Sequence, residues 1–289
     1  MIAGLQPFYT SATGVARPLS MRRRRRGERS NIATPNWTRH RGNAGVDRRP
    51  MRLVVTLEPA QSAAGGLVTK HAVQGFIYSA LRATPYDVIH DKRQFKFFCF
   101  SDLFPIGDFV AGEPKTLVVS SPDAAFINLL RDALEQNPGT HLGGVQVRVA
   151  GIKVARPPLS SQFITGSPVV VYKDNKANMY FSFQKDKDMA FFLQRVKENA
   201  LKKFNAFYEG ELAFEGELFD RLVFRREVAV HDAKDGTPFI MIGSTWSLLA
   251  KDFMPPYLRK FYAFLMDCGL GEKNSLGFGF LNPVRQARS

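Results

Sequence analysis

The chain has 289 residues with 40 Lys and Arg against 26 Asp and Glu, a formal net charge of +14, and 45% apolar residues that include 25 Phe. That apolar content is enough to bury real cores and excludes wholesale disorder, and the length allows one large domain or two small ones. Two cysteines, Cys99 and Cys268, outside any CxxC or CxxH spacing exclude a disulfide framework and give no sign of structural zinc, and no apolar run approaches the roughly 18 to 20 residues of a membrane-spanning helix.

The charge is concentrated at the start. Residues 1–50 carry eleven Arg, with an unbroken run from Arg22 to Arg26, against Glu28 and Asp47, a local charge of +9 that leaves +5 for the rest. Neither helical nor strand periodicity runs through this stretch, and like-charge blocks of this kind are expected to stay solvated and disordered. Three readings are open for it: a nucleic-acid-binding arm, an Arg-rich targeting peptide, or upstream sequence translated from a misplaced start. It lacks the apolar core of a secretory signal, so a soluble intracellular protein is expected.

Met51 to Leu57 is β-like and opens the folded part. A helix is predicted over Val68–Leu81, with Val73, Ile77, Ala80 and Leu81 on one side, followed by strands at Phe95–Phe100 and Lys115–Ser120. Ser121-Pro-Asp123 starts a second helix with Pro at its first position; Phe126, Leu129, Leu130, Ala133 and Leu134 mark its apolar face, and Asn137-Pro-Gly139 stops it. Val145–Val154 then alternates apolar and polar residues as a half-buried strand does. Strand, helix, two strands, helix, strand is the split-βαβ order of a ferredoxin-like (RRM-like) domain, an α+β fold, expected over residues 51–165.

Arg156-Pro-Pro158 and Gly166-Ser-Pro168 bracket an expected linker, and a second cycle follows over residues 166–289. Its predicted elements are strands at Pro168–Lys173 and Asn178–Phe183 and a helix over Asp186–Asn205, then a hairpin of Leu222–Val230 and Phe239–Leu248 with a polar tip at residues 231–238. A helix over Pro256–Cys268 and a last strand at Phe278–Leu281 complete it. Two ferredoxin-like βαββαβ domains in tandem behind a disordered basic extension is the predicted architecture. That fold hosts many unrelated functions.

The most specific stretch is Gly269-Leu-Gly-Glu-Lys-Asn-Ser-Leu-Gly-Phe-Gly279, four glycines framing a polar loop with one Lys. Backbone N–H groups freed of side chains can close on phosphate oxygens, with Lys273 adding charge. The loop follows a helix and precedes a strand, the reverse of a dinucleotide-binding fingerprint, so that arrangement is excluded. Close packing of the last helix and strand is the competing reason for the glycines.

This loop resembles the glycine-rich loop of the CRISPR-associated repeat-processing endoribonucleases. The resemblance extends to Gln74-Gly-Phe-Ile-Tyr78, His90, Lys96-Phe-Phe-Cys-Phe-Ser101 and Ile164-Thr-Gly-Ser-Pro168, in the family's order, and covers about Met51 to Leu281. It implies two ferredoxin-like domains and metal-free cleavage of CRISPR repeat RNA, once per repeat, to a 2′,3′-cyclic phosphate and a 5′-hydroxyl. It also implies no cofactor and a prokaryotic cytoplasmic setting. Expected partners are precursor and mature guide RNA and other subunits of an interference complex, the chain itself being a monomer or homodimer.

Carried over by motif, the family's catalytic residues fall on Tyr78, His90 and Lys96, with Tyr86 as a substitute for Tyr78. A His that titrates near neutrality suits proton transfer, Tyr can donate or position, and Lys stabilises a phosphorane. His90 is read as the base and Tyr78 as the leaving-group donor or positioner; His90 as the acid is the alternative. Expected RNA contacts are Gly269, Gly271, Lys273, Asn274, Ser275, Gly277 and Gly279 in the loop, Arg225 and Arg226 on the hairpin, and Lys251, Arg259 and Lys260 around the last helix. His71, early in the first helix, is read as facing RNA or solvent, His141 as a loop residue and His231 as capping the hairpin, none with a catalytic role. Asp186, Asp188, Asp232 and Asp235 are read as helix-start and hairpin-tip residues rather than metal ligands. Two rival readings are a catalytically inactive repeat-RNA binder and a general basic RNA-binding protein driven by residues 1–50.

Overall fold

Along β1 (Arg52–Pro59) Leu53, Val55 and Leu57 are fully buried and alternate with partly exposed Val54, Thr56 and Glu58, so one face of the strand packs on a core. The computed structural model describes residues 50–89, 94–234 and 237–284, and the Arg-rich extension up to residue 49 lies outside them. The chain continues through α1 (Lys70–Ala80), β2 (Cys99–Phe100), β3 (Lys115–Ser120), α2 (Ala124–Gln136), β4 (Gly139–Leu142) and β5 (Val145–Ala155). These strands form one antiparallel sheet in the order β2-β3-β1-β5-β4. Without β4 this is the predicted ferredoxin-like order. β4 is an addition: the chain that leaves α2 turns back through Gly143 and Gly144, with φ of 61° at Gly143, and pairs Leu142 with Val145.

The second half runs through β6 (Gln162–Thr165), β7 (Tyr172–Asp174), β8 (Met179–Tyr180), α3 (Met189–Tyr208), β9 (Arg221–Lys234), β10 (Thr237–Ala250), α4 (Arg259–Cys268) and β11 (Leu281–Pro283). Its main sheet, β11-β6-β10-β9, repeats the ferredoxin-like order. Phe192, Phe204, Phe207, Trp246, Phe261 and Phe264 fill its core, which accounts for much of the unusual Phe content.

Several boundaries differ from expectation. The first strand of the second sheet is β6, not Pro168–Lys173, so the second domain begins within the expected linker and ahead of residue 166. Phe163 is the cause, since it is fully buried between Phe219 and Tyr262. The stretch after it makes single bridges, Val169 to Ser244 and Val170 to Glu272, before forming the separate β7–β8 hairpin. Pro122 lies outside α2, because the Asp123 carboxylate takes the Ala125 N–H at 2.9 Å and caps the helix there. The predicted strand Phe95–Phe100 shrinks to two residues. Phe97 adopts φ of 49°, which sends Phe97 into the second core and its neighbour Phe98 into the first.

The two domains share a buried polar seam. The Met51 N–H donates to Asp267 Oδ1 at 3.1 Å, and the Arg52 guanidinium donates to Leu281 O at 2.6 Å and Asn282 Oδ1 at 3.0 Å and lies 4.6 Å from the Phe280 ring centroid. Burial pushes the Asp267 carboxyl well above its ordinary range, while Arg52 pulls it back down.

Candidate active site

The glycine-rich loop joins α4 to β11 and is almost entirely buried. Its backbone is spent on packing: the N–H groups of Leu270, Glu272 and Gly279 bond to Gly279 O, Val170 O and Pro168 O at 2.7 to 2.9 Å. A Cβ on Gly277 would lie 2.1 Å from the Phe100 ring and one on Gly279 only 1.8 Å from Leu270 O, so close approach explains both glycines.

Two lysines hold the loop from beneath. Lys203 of α3, fully enclosed, donates to Gly269 O at 2.8 Å, Gly271 O at 2.9 Å and Asn274 Oδ1 at 2.6 Å. Its ammonium replaces water at three carbonyl-type oxygens, and burial lowers its pKa. Lys70, at the start of α1, reaches Gly277 O at 2.7 Å and Asp102 Oδ1 at 2.6 Å.

Four residues further along α1, Gln74 Nε2 donates to Ser275 O at 2.8 Å, and after four more the Tyr78 hydroxyl shares a hydrogen bond with the Ser275 side chain. The i, i+4, i+8 spacing sets Lys70, Gln74 and Tyr78 in one row along the helix, and that row docks on the loop. Burial pushes the Tyr78 hydroxyl up to about 12, with the Ser275 hydrogen bond opposing, so it is a neutral O–H donor over the physiological range. Its ring meets Phe98 edge-on at 5.9 Å, two residues from the partly exposed Lys96.

The chain's residues 155–283 match the sequence profile described as CRISPR associated protein Cas6, C-terminal. Over 241 residues, 81% of this chain and 100% of the relative, it is 45% identical to the CRISPR-associated endoribonuclease Cas6 2 of Methanocaldococcus jannaschii. The chain belongs to the Cas6 family of CRISPR-associated endoribonucleases. It is also 23% identical over 261 residues, 82% of this chain and 95% of the relative, to the CRISPR-associated endoribonuclease Cas6 of Haloferax mediterranei. A solved structure titled CRISPR associated protein Cas6 superposes with a TM-score of 0.62 at 20% identity, covering 82% of this chain and 100% of that one, which shows the shared fold. Membership makes the chain an RNA-cleaving enzyme of the CRISPR system.

Within this Cas6 fold the expected site residues divide into groups. Tyr78, Ser275 and Lys273 gather at the tip of the glycine loop, Asn274 is buried beneath it with its amide bonded to Leu270 O and Phe278 O, and His90 lies outside the described residues. Tyr86, the substitute for Tyr78, is in the first core and donates to the Asp123 carboxylate, a structural position. Arg225 and Arg226 are exposed on the edge strand β9. Arg259 and Lys260 sit at the opposite end of α4 from the loop, about 14 Å away along the helix axis. Beyond them Lys251 is tied to Asp220 at 2.6 Å, and the Lys260 ammonium lies 3.5 Å from the Tyr208 ring centroid.

Two of the acidic residues have structural partners: Asp188 caps α3 through the Phe191 N–H at 2.9 Å, and Asp186 pairs with Lys173 at 2.5 Å. Asp232 is buried and accepts His71 Nδ1 at 2.7 Å, so His71 joins α1 to β9 and is not simply solvated. Asp235 lies outside the described residues, among which no group of three or more His, Cys, Asp or Glu is placed to hold a metal ion. Lys203 escaped sequence reasoning although a signal was present. It stands on the apolar stripe of α3 between Ala200 and Phe204, where a charge needs a buried partner.

Proposed function

We propose that the chain cuts CRISPR repeat RNA within each repeat by metal-independent transesterification. The 2′-oxygen bonds to the adjacent phosphorus as the bond to the 5′-oxygen breaks, giving a 2′,3′-cyclic phosphate and a 5′-hydroxyl. His90 takes the 2′ proton, Tyr78 donates to or positions the leaving oxygen, and Lys96 offsets charge on the phosphorane. The observation that carries this reading is the Tyr78 hydroxyl, neutral and held at Ser275 on the tip of the glycine loop. A protonated phenol there suits donation and not proton abstraction, which leaves the base role to His90.

The test is cleavage of repeat RNA in EDTA by the full chain, by His90→Ala and by a chain lacking residues 1–50, with a 2′-deoxyribose substrate as control. Single cuts ending in a 2′,3′-cyclic phosphate are expected from the full and shortened chains and from neither His90→Ala nor the deoxy substrate. Tight binding with no cleavage, with or without magnesium, would establish the inactive-binder reading instead. Loss of most affinity on removing residues 1–50 would point to a general, charge-driven RNA-binding protein.

A further inference from the structure

β7 and β8 form a two-stranded hairpin apart from both main sheets. Tyr172 and Tyr180 stack across it with ring centroids 5.0 Å apart and planes 22° from parallel, and both hydroxyls donate to Asn178 Oδ1 at 3.1 Å. Lys273 extends from the glycine loop to the same place, its ammonium 5.5 Å from the Tyr172 centroid and 5.8 Å from that of Tyr180. The loop is fastened to the hairpin by the Tyr172 N–H, which donates to Glu272 Oε2 at 2.9 Å.

Lys273 has φ of 56°, a backbone conformation that Gly or Asn adopts at lower cost. In a loop already rich in glycine, a lysine at that position directs a charge at the two rings. Both tyrosines and Lys273 remain partly exposed. Ser275, two residues further on, is the partner of Tyr78, so the ring pair and the candidate catalytic hydroxyl flank one loop tip.

We propose that Tyr172, Tyr180 and Lys273 form a nucleotide subsite for single-stranded RNA next to the scissile phosphate, a base stacking on the tyrosine pair and its phosphate meeting Lys273. This rests on the RNA-cleavage reading above and adds a binding position to it. Every base has a π face, so stacking is tolerant of sequence, and losing one stacked base typically weakens binding roughly tenfold to a hundredfold. A ring pair that only braced the hairpin would be needed for folding and not for RNA.

The experiment measures affinity for repeat RNA carrying a 2′-deoxyribose at the cut site, by fluorescence anisotropy with the full chain. The double variant Tyr172→Ala/Tyr180→Ala should bind at least about tenfold more weakly, Tyr172→Phe/Tyr180→Phe within about threefold of wild type, and Lys273→Ala should reduce the salt slope by about one. In a series of RNAs with single abasic positions, one position should reproduce the loss and have no further effect on the Ala pair. A folded Ala pair that binds as tightly as wild type, or a Phe pair as weak as the Ala pair, overturns the subsite and leaves the cleavage reading standing. If the Ala pair does not fold, the abasic series on wild type decides, and a series with no sensitive position overturns the subsite. A wild-type chain that binds no repeat RNA removes the cleavage reading and the subsite with it.

Discussion

At the scale of single residues the site turns on how burial sorts chemically similar groups. Tyr78 and Tyr86 are eight positions apart, yet one hydroxyl meets the loop at Ser275 and the other is locked on Asp123 inside the core. Because Tyr78 is raised to about 12, it stays protonated between pH 6 and 9 and contributes no titration there. A rise of rate with pH near neutrality must therefore come from another group, and histidine, the type proposed as base, is the side chain that ordinarily titrates there. Tyr78→Phe should lower the single-turnover cleavage rate about a hundredfold at every pH in that range, without moving the neutral limb or changing RNA affinity more than about twofold. A limb that shifts in Tyr78→Phe would reassign the base. The motif singled out Tyr78 as a candidate, whereas the opposite environments of the two tyrosines were not legible, since nothing local distinguishes a Tyr whose partner is 197 residues away from one whose partner is 37 away.

At the scale of elements the glycine-rich loop is a packed joint whose partly exposed tip carries Lys273 and Ser275. Its glycines were visible as a motif, but two readings competed for them, and the packing that explains Gly277 and Gly279 depends on Phe100 and Leu270 coming close in space. Gly279→Ala would set a methyl group 1.8 Å from Leu270 O at a φ of 72°, and should lower Tm by roughly 5 to 10 °C. Differential scanning calorimetry checks this, and an unchanged Tm would mean that the loop repacks at little cost. Helix and strand order was legible from periodicity because each main element buries one face. The short strands were not: β4 depends on a turn at Gly143, and β6 on a single core residue, Phe163, inside a stretch whose Pro and Gly read as linker.

At the scale of the whole molecule the two domains are joined by buried polar groups as well as by apolar packing. Arg52, at the start of the first sheet, bonds to two backbone carbonyls and a side chain of the second domain, and its Nε has no hydrogen-bond partner among the described residues. Removing it leaves those acceptors and the Asp267 carboxyl in a buried seam, so Arg52→Ala should cost about 3 to 5 kcal/mol. Thermal unfolding of the wild-type chain is expected as one transition and that of Arg52→Ala as an earlier and broader one; equal melting curves would show that the seam does not couple the domains. No sequence pattern announced this pairing, because Arg52 sits on an ordinary β alternation and its partners are all more than 200 residues later.

The docking of α1 on the glycine loop also constrains the order in which the chain can assemble. Lys70 and Gln74 meet their loop partners 207 and 201 residues further on, so during synthesis the row that carries Tyr78 has no backing until the glycine loop has been made. The first domain can gather its own core early, but a nascent or prematurely released chain lacks the loop that receives the tyrosine. A chain cut off before residue 269 therefore lacks the partners of Lys70, Gln74 and Tyr78.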